Sequence, residues 1–447
     1  MRTFYRHGKK KTNFLLLLIR FNDKVCFRAP YLFVTDHEPT MKILIITQYY
    51  YPEQFQINEI APELVRRGHE VSVLCGVPNY PKGVVFDGYR NKDELKEREW
   101  EYQKETGVQV IHVDQVPRGH NPWSLLRNYI SFARNSKKMV HRLPNDFDVV
   151  LGYQLSPITS MYAAAEYKKL HGTPVLFYTL DLWPVSAESI LKSSKNPLMR
   201  PMARISRKLY QAADRILVTS RPFIDYLEQK NGVTHERLGY LPQHAGDAML
   251  KMDLVKGMDN GCADFMFAGN LGKGQRIDVI VDAAAELGAR DDYRIHIVGD
   301  GSMRGELERM VKEKGLTEHV IFYGNQKRED MPSFYKKADV LLITLRGNNE
   351  VGNTMPGKLQ MYMTTGKPIM GAINGAANEV IKEAQCGACV SAGDYKGLAQ
   401  LMASYIENPD KYKECGENAR RYFMQHFTFE HYMNGLEREL QTLCNRK

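Results

Sequence analysis

The chain has no apolar run long enough to cross a bilayer. Its first hydrophobic burst, residues 14–19, is cut short by Arg20, whereas a spanning helix needs about 20 consecutive apolar residues. It does not read as a signal peptide either, since Arg20, Asp23 and Lys24 follow at once with no small-residue cleavage site. With the basic run at 6–11, residues 1–40 read as an extension ahead of a natural start at Met41. Cysteine is sparse, seven scattered residues, and an odd, dispersed set excludes a disulfide framework and points to a reducing cytoplasm. Cys386 and Cys389 make a CxxC inside an apolar, strand-like run with no second pair for zinc. Residues 48–56 contain no glycine, so the dinucleotide fingerprint GxGxxG is missing after the first strand, which argues against an NAD enzyme. No His/carboxylate cluster suggests a metal, and none is assigned.

Acidic residues are outnumbered, 52 against 61 lysines and arginines, for a formal charge of +9. Such an excess favours an anionic partner, be it nucleic acid, phospholipid or a phosphorylated small molecule. Residues 122–143 hold no acid at all. There Arg127, Arg134, Lys137, Lys138 and Arg142 are interleaved with Trp123, Leu125, Leu126, Tyr129, Ile130 and Phe132, the composition of a helix that lies on anionic lipid or, alternatively, buries its apolar face in the protein. Residues 192–208 form a second basic segment of the same kind.

What the chain does have is a repeated strand–helix alternation. At 447 residues it exceeds what one core serves, and two domains are expected. Residues 42–47 are an unbroken apolar run, as in a strand buried on both faces of a parallel sheet. A helix over 58–67 follows, closed by Gly68, and further strands are expected at 70–74, 108–113, 149–151, 175–178 and 216–219. The pattern lapses over 241–263. A second series has strands at 265–268, 294–298, 320–323, 340–344, 368–371 and 388–391, and a last helix spans 431–443. The fold class is α/β, two Rossmann-like doubly wound domains facing across a cleft. We divide it as an acceptor-side domain over 41–245, a linker over 246–262, a second domain over 263–427, and a helix over 428–447 packing back on the first.

In such sheets ligands bind beyond the carboxyl ends of the strands. The loop 269–276, Gly269-Asn270-Leu271-Gly272-Lys273-Gly274-Gln275-Arg276, offers flexible amides and two cations to a phosphate. Gly299-Asp300-Gly301 lies on the same rim, as a turn with no specific signal of its own. In residues 346–368, Pro356-Gly357-Lys358 opens a helix that Gly366 closes; its free amides form an anion site, and Lys358 adds a point charge suited to a diphosphate.

The blocks MKILIITQYYYPEQFQINEIAPELVRRGHEVSVLCGVPNYPKG, DLWP at 181–184, FAGNLGKGQ, IVGDGSMRGELE, YGN at 323–325 and PGKLQMYMTTGKPI, in this order, resemble glycosyltransferase family 4. These are retaining GT-B enzymes, and the resemblance is to the bacterial capsule, O-antigen and exopolysaccharide branch and its aminosugar transferases, such as fucosaminyltransferases. It spans residue 41 to the end. It implies a nucleoside diphosphate sugar, held mainly by the second domain and without a metal or other cofactor: Asn325 and Gln326 near the base, Gly269, Asn270, Lys273, Arg276, Asn353, Thr354, Gly357 and Lys358 around the diphosphate, and Glu379 near the ribose or the helix that contacts it. The acceptor, a glycan or a polyprenyl-diphosphate-linked glycan, is implied to meet residues 50–58, Gln54 and Asn58 among them, and Asn79, Tyr80 and Asp181; Asp181 is the acid or base candidate, with a helix-capping or structural aspartate as the alternative. Relatives carry two glutamates with seven residues between them where this chain has Asn353 and Met361. An arginine and a lysine of the family's glycine loop correspond to Asn270 and Gln275, leaving Lys273 and Arg276 to substitute. The expected setting is the cytoplasmic face of the inner membrane, with no nucleic acid partner. A sugar-nucleotide 2-epimerase on a related scaffold, or a basic binding protein without catalysis, remain as alternatives.

Overall fold

The computed structural model describes residues 40–119, 121–186, 199–254, 261–288, 290–347 and 354–445. Seven strands form the first sheet: β1 Lys42–Ile46, β2 Glu70–Gly76, β3 Gln109–Val113, β4 Val149–Gln154, β5 Val175–Thr179, β6 Arg215–Val218 and β7 Leu238–Tyr240. Their order is β3-β2-β1-β4-β5-β6-β7, parallel throughout. Six more, β8 Ala263–Ala268, β9 Tyr293–Val298, β10 Val320–Gly324, β11 Val340–Thr344, β12 Ile369–Ala372 and β13 Gly387–Val390, form a second parallel sheet ordered β10-β9-β8-β11-β12-β13. In each sheet the order reverses beside the first strand, between β1 and β4 and between β8 and β11. A doubly wound sheet opens a crevice at that switch point.

The strands are apolar on both faces because helices cover both. Leu44 and Ile46 look into one core layer of the first lobe, and Ile43 and Ile45 into the other. The second lobe repeats this with Met266 and Ala268 on one side and Phe265 and Phe267 on the other.

The connector expected at 246–262 is not a free linker in its described part. Met249 and Leu254 are buried in the second lobe's core, and a 3-10 turn spans Ala248–Lys251. The chain instead crosses between lobes just before it, where Ala245 N donates to Phe427 O at 3.0 Å. Having crossed back, it forms the helix Phe429–Cys444, whose Tyr432, Met433, Leu436, Leu440 and Leu443 fill the first lobe's core. Polar contacts fix that helix: Arg67 reaches Glu437 at 2.8 Å and Glu430 at 2.9 Å, and Arg215 grips both Glu439 oxygens at 2.8 Å.

The two basic segments part company. In the helix Pro122–Met139, Asn128, Phe132, Ala133 and Ser136 face inward while Trp123, Leu126 and Ile130 are exposed. In the helix Met199–Ala212, Met202 and Ile205 pack on the core and Leu209 is buried. The described part of 192–208 therefore offers water its arginines but no apolar face; residues 192–198 lie outside the described residues. No described helix is long and apolar enough to cross a membrane.

Candidate functional site

The carboxyl rim of the second sheet is built by glycines that let loops touch. Gly269 follows β8 with φ 146°, and Gly299 follows β9 with φ 132°. A Cβ on Gly299 would stand 1.9 Å from Gly269 O, so a side chain there would push the loops apart. Leu271 is a buried anchor whose N–H donates to Asp300 O and whose carbonyl accepts from Met303 N, both at 2.9 Å. Thr344 Oγ1 donates to Gln275 O at 2.6 Å and Arg346 N to Gly274 O at 2.9 Å, joining the end of β11 to the same loop.

The helix Gly357–Thr365 rises from this rim, with Pro356 at its N-cap and Gly366 in the left-handed region at its C-cap. Lys358 reaches back from its first turn. The Lys358 ammonium lies 3.8 Å from the centroid of the Phe267 ring, and a Cβ on Gly269 would be 3.1 Å from it. Its Nζ is buried with no hydrogen-bond partner among the described residues, and burial pushes its pKa down to about 7. A buried ammonium without an anion is costly; the ring face offsets part of that cost, and an incoming oxyanion would remove more.

Of the other residues implied on this side, Asn270 lies over Gly272 and Gly301, and Lys273 and Gly357 are exposed beside the same loops. Thr354 is half-buried; Asn353 lies outside the described residues. Arg276 is not available as expected. Its backbone is left-handed, and its guanidinium is folded onto Asp278, with Nε 3.0 Å from both carboxylate oxygens. Asn325 is exposed beyond the edge strand β10, and Gln326 Nε2 donates to Tyr323 O at 2.7 Å. Glu379 is exposed on the helix Gly375–Glu383 and acts electrostatically on Tyr240 of the first lobe.

On the first lobe, one side chain ties two strand-end loops together. Glu53, after β1, is 1% exposed, and its Oε1 accepts the backbone N–H of Asn79 and of Tyr80, after β2, each at 2.7 Å. Burial pushes its carboxyl up to about 7, against the pull of those N–H donors. Asn79 carries the relay onward: its Oδ1 accepts Arg118 N at 2.7 Å, after β3, and its Nδ2 donates to Val77 O. The Asn79 side chain is thus spent inside the loops rather than turned to a ligand. Asn58 likewise donates to Glu53 O at 2.6 Å. Gln54 is exposed, and Tyr80 packs its half-buried ring on Tyr49 and Phe55 at 5.3 Å.

Asp181 follows β5, half-buried. Burial raises its pKa, while the hydroxyls of Ser186 and Ser156 and the N–H of Leu182 oppose the shift. Gln154 Nε2 donates to its carbonyl at 2.9 Å. Glu53 falls within the stretch 50–58 expected on the acceptor side, though without a role of its own, and Arg118 was not among the residues singled out from the sequence; the acid in Tyr-Tyr-Tyr-Pro-Glu was the available signal for the first.

The sequence also contains an Asp-Phe-Asp triplet at 146–148, a carboxylate spacing able to hold a divalent cation. It sits at the amino edge of the first sheet, away from the rim, where Asp146 pairs with Lys42 Nζ at 2.9 Å and Asp148 accepts Lys42 N at 2.8 Å. In the CxxC, burial pushes both Cys386 and Cys389 up to about 12, so neither is a ready thiolate.

A model of the glycosyl transferase 4-like domain matches residues 54–243, and a model of glycosyl transferases group 1 matches residues 255–422. The chain is 25% identical over 354 residues to the protein of Escherichia coli K12 named as the colanic acid biosynthesis glycosyl transferase WcaI, covering 73% of this chain and 82% of that one. It is 26% identical over 159 residues to a GDP-mannose-dependent phosphatidylinositol monomannoside mannosyltransferase of Mycolicibacterium smegmatis, covering 35% of this chain and 41% of that one. The crystal structure of HepE from Anabaena in complex with UDP superposes with a TM-score of 0.64 at 16% identity, covering 90% of this chain and all of that one. Two successive domain models that between them span both lobes, on a GT-B fold, mean that the chain belongs to the group 1 glycosyltransferases.

Proposed function

We propose that this glycosyltransferase moves an N-acetylated aminosugar from a nucleoside diphosphate sugar to a glycan, free or carried on a polyprenyl diphosphate, in bacterial surface polysaccharide synthesis, with retention of configuration. The observation that carries the donor half is Lys358, a buried ammonium with a ring beneath it, no anion beside it among the described residues, and glycine-lined amides around it. Glycosyl transfer passes through an oxocarbenium-like state while charge gathers on the departing diphosphate. Lys358, Lys273 and the amides at 269–272 and 357–358 stabilise that charge from fixed positions and without a divalent ion. Asn325, Gln326 and Glu379 serve the base and ribose, and a donor phosphate oxygen takes the acceptor proton. Asp181, on the opposite lobe, orients the acceptor hydroxyl; Asp181→Asn lowers kcat about a hundredfold, and an unchanged kcat would remove it from the reaction.

The test of the donor site is a thermal-shift screen of nucleoside diphosphates and their sugars, because a ligand held by the folded state raises Tm. Lys358→Met abolishes the nucleotide-induced shift without lowering the Tm of the unliganded protein. A full shift in that variant would place the diphosphate elsewhere. Activity that survives EDTA tests the metal-free mechanism. Incubating donor without acceptor tests transfer against epimerisation: interconverted sugars would overturn the transferase reading.

The helix Pro122–Met139 brings the enzyme to the cytoplasmic face of an anionic membrane. What supports this is its exposed Trp123, Leu126 and Ile130, set among Arg127, Arg134, Lys137 and Lys138.

A further inference from the structure

Several arginines are spoken for: Arg67, Arg215 and Arg221 of the first lobe and Arg276, Arg290 and Arg304 of the second each hold a carboxylate. Arg118 holds none among the described residues. Its guanidinium lies 5.1 Å from the centroid of the Tyr80 ring, and its Nη1 donates to Tyr49 OH at 3.3 Å. Tyr129, on the helix Pro122–Met139, is its remaining electrostatic partner. All three are phenols, neutral at pH 7, so among the described residues no carboxylate touches the half-buried cation.

It is also held still. Asn79 fixes its backbone and Glu53 fixes Asn79. The rings beneath it are packed, Tyr49 stacked on Phe55 at 5.4 Å and 12°. A guanidinium carries five N–H donors, so the contacts to Tyr49 and Tyr129 leave others for a planar or tetrahedral oxyanion, and a cation seated on a ring face has already lost part of its water.

We propose that Arg118 is the anion seat of the acceptor subsite and receives the phosphate of a prenyl-linked acceptor. The prenyl source, rather than a free sugar phosphate, follows from what adjoins it. Tyr129 carries the contact to the helix whose Trp123, Leu126 and Ile130 are 76%, 45% and 56% exposed, and a hydrocarbon tail attached to the phosphate covers that face. The proposal rests on the transferase reading above, but it is tested apart from it.

Calorimetry with geranyl phosphate, glucose 1-phosphate and geraniol on the full chain supplies the test. Geranyl phosphate binds, and Arg118→Gln weakens it about tenfold or more, whereas Lys358→Met leaves it unchanged. UDP or GDP shows the reverse dependence. Arg118→Lys, which keeps the charge and loses the fork, recovers part of the affinity. On the wild-type protein, geranyl phosphate slows modification of Arg118 by phenylglyoxal, read by mass spectrometry, and geraniol does not; this arm stands if a variant fails to fold. Geranyl phosphate affinity indifferent to Arg118, or labelling unprotected, overturns the proposal. Glucose 1-phosphate binding at Arg118 as tightly as geranyl phosphate overturns the prenyl source. If no nucleotide binds while geranyl phosphate still depends on Arg118, the transferase reading fails and this one stands.

Discussion

Lys358 couples donor binding to protons. Burial holds its pKa near 7, against an ordinary 10.5, and a diphosphate brought against the ammonium raises it again. Above pH 7 the free enzyme's lysine is mostly neutral, so binding takes up a proton, and nucleotide affinity falls about tenfold per pH unit until the pKa of the complex is reached. Calorimetry in two buffers of different ionisation heat reads the uptake: approaching one proton at pH 8, and vanishing below pH 6. No uptake at pH 8 would mean that the lysine stays charged in the free enzyme. Glu53 titrates in the other sense. Its folded pKa, up to about 7 from 4.5, lies above its unfolded value, so the native state keeps a proton that the unfolded chain has released. Stability therefore falls as pH rises from 4.5 through 7, by about 3 kcal/mol over the window. Glu53→Gln removes that slope and leaves a pH-independent offset from its buried amide; Tm curves for variant and wild type that run parallel between pH 5 and 8 would refute the assignment. These residues were unequally legible. Pro356-Gly357-Lys358 announces a helix start with a cation on it, a local pattern. The capture of Arg276 by Asp278 depends on a left-handed backbone at 276 that its sequence neighbours do not dictate. Arg118 owes its meaning to residues 38 to 69 positions away, Tyr80 and Tyr49, contacts that no local pattern encodes.

At the scale of elements, strands were legible because a parallel sheet buried on both faces demands unbroken apolar runs. Val340–Thr344 appears with its expected limits, while β4 runs on to Gln154 because Gly152, Tyr153 and Gln154 are buried as well. The stretch at 246–262 was harder, since its polar composition hides two core residues, Met249 and Leu254. Helix amphipathicity misled in one case and informed in the other. A basic helix with apolar residues can face its own core or a membrane, and only packing decides. The helix Met199–Ala212 faces its core. In Pro122–Met139 the inward face includes Asn128 and Ser136, and large apolar groups are left outside. Replacing Trp123 and Ile130 together with serine removes exposed rather than packed surface, so Tm changes little while binding to vesicles containing phosphatidylglycerol drops about tenfold or more. Wild-type binding to neutral and anionic vesicles alike, or undiminished binding by the double variant, would defeat the membrane role.

For the molecule as a whole, the chain's course makes the lobes interdependent. The helix Phe429–Cys444 is made after the second lobe yet completes the core of the first. The two crossings run side by side, Ala245 bonded to Phe427, with His244 packed on Phe429 at 4.7 Å and Tyr432 at 5.2 Å. Side chains reinforce the junction: Gln56 Nε2 donates to His244 O at 2.8 Å, and Arg221 meets Glu383 across the lobes at 2.8 Å. Closure of one lobe on the other must therefore bend the paired crossings, while the terminal helix moves with the first lobe. Leu436 isolates this latch, since it is fully buried there and lies in the first lobe's core rather than on the rim of the second. Leu436→Ala leaves a cavity and costs about 2–5 kcal/mol, seen as a lower denaturant midpoint, while nucleotide affinity at 25 °C stays that of the wild type because the rim around Lys358 is untouched. Unaltered stability would show that the helix is no part of the first core. A loss of nucleotide affinity in a variant that remains folded would show instead that the latch sets the donor site through the hinge.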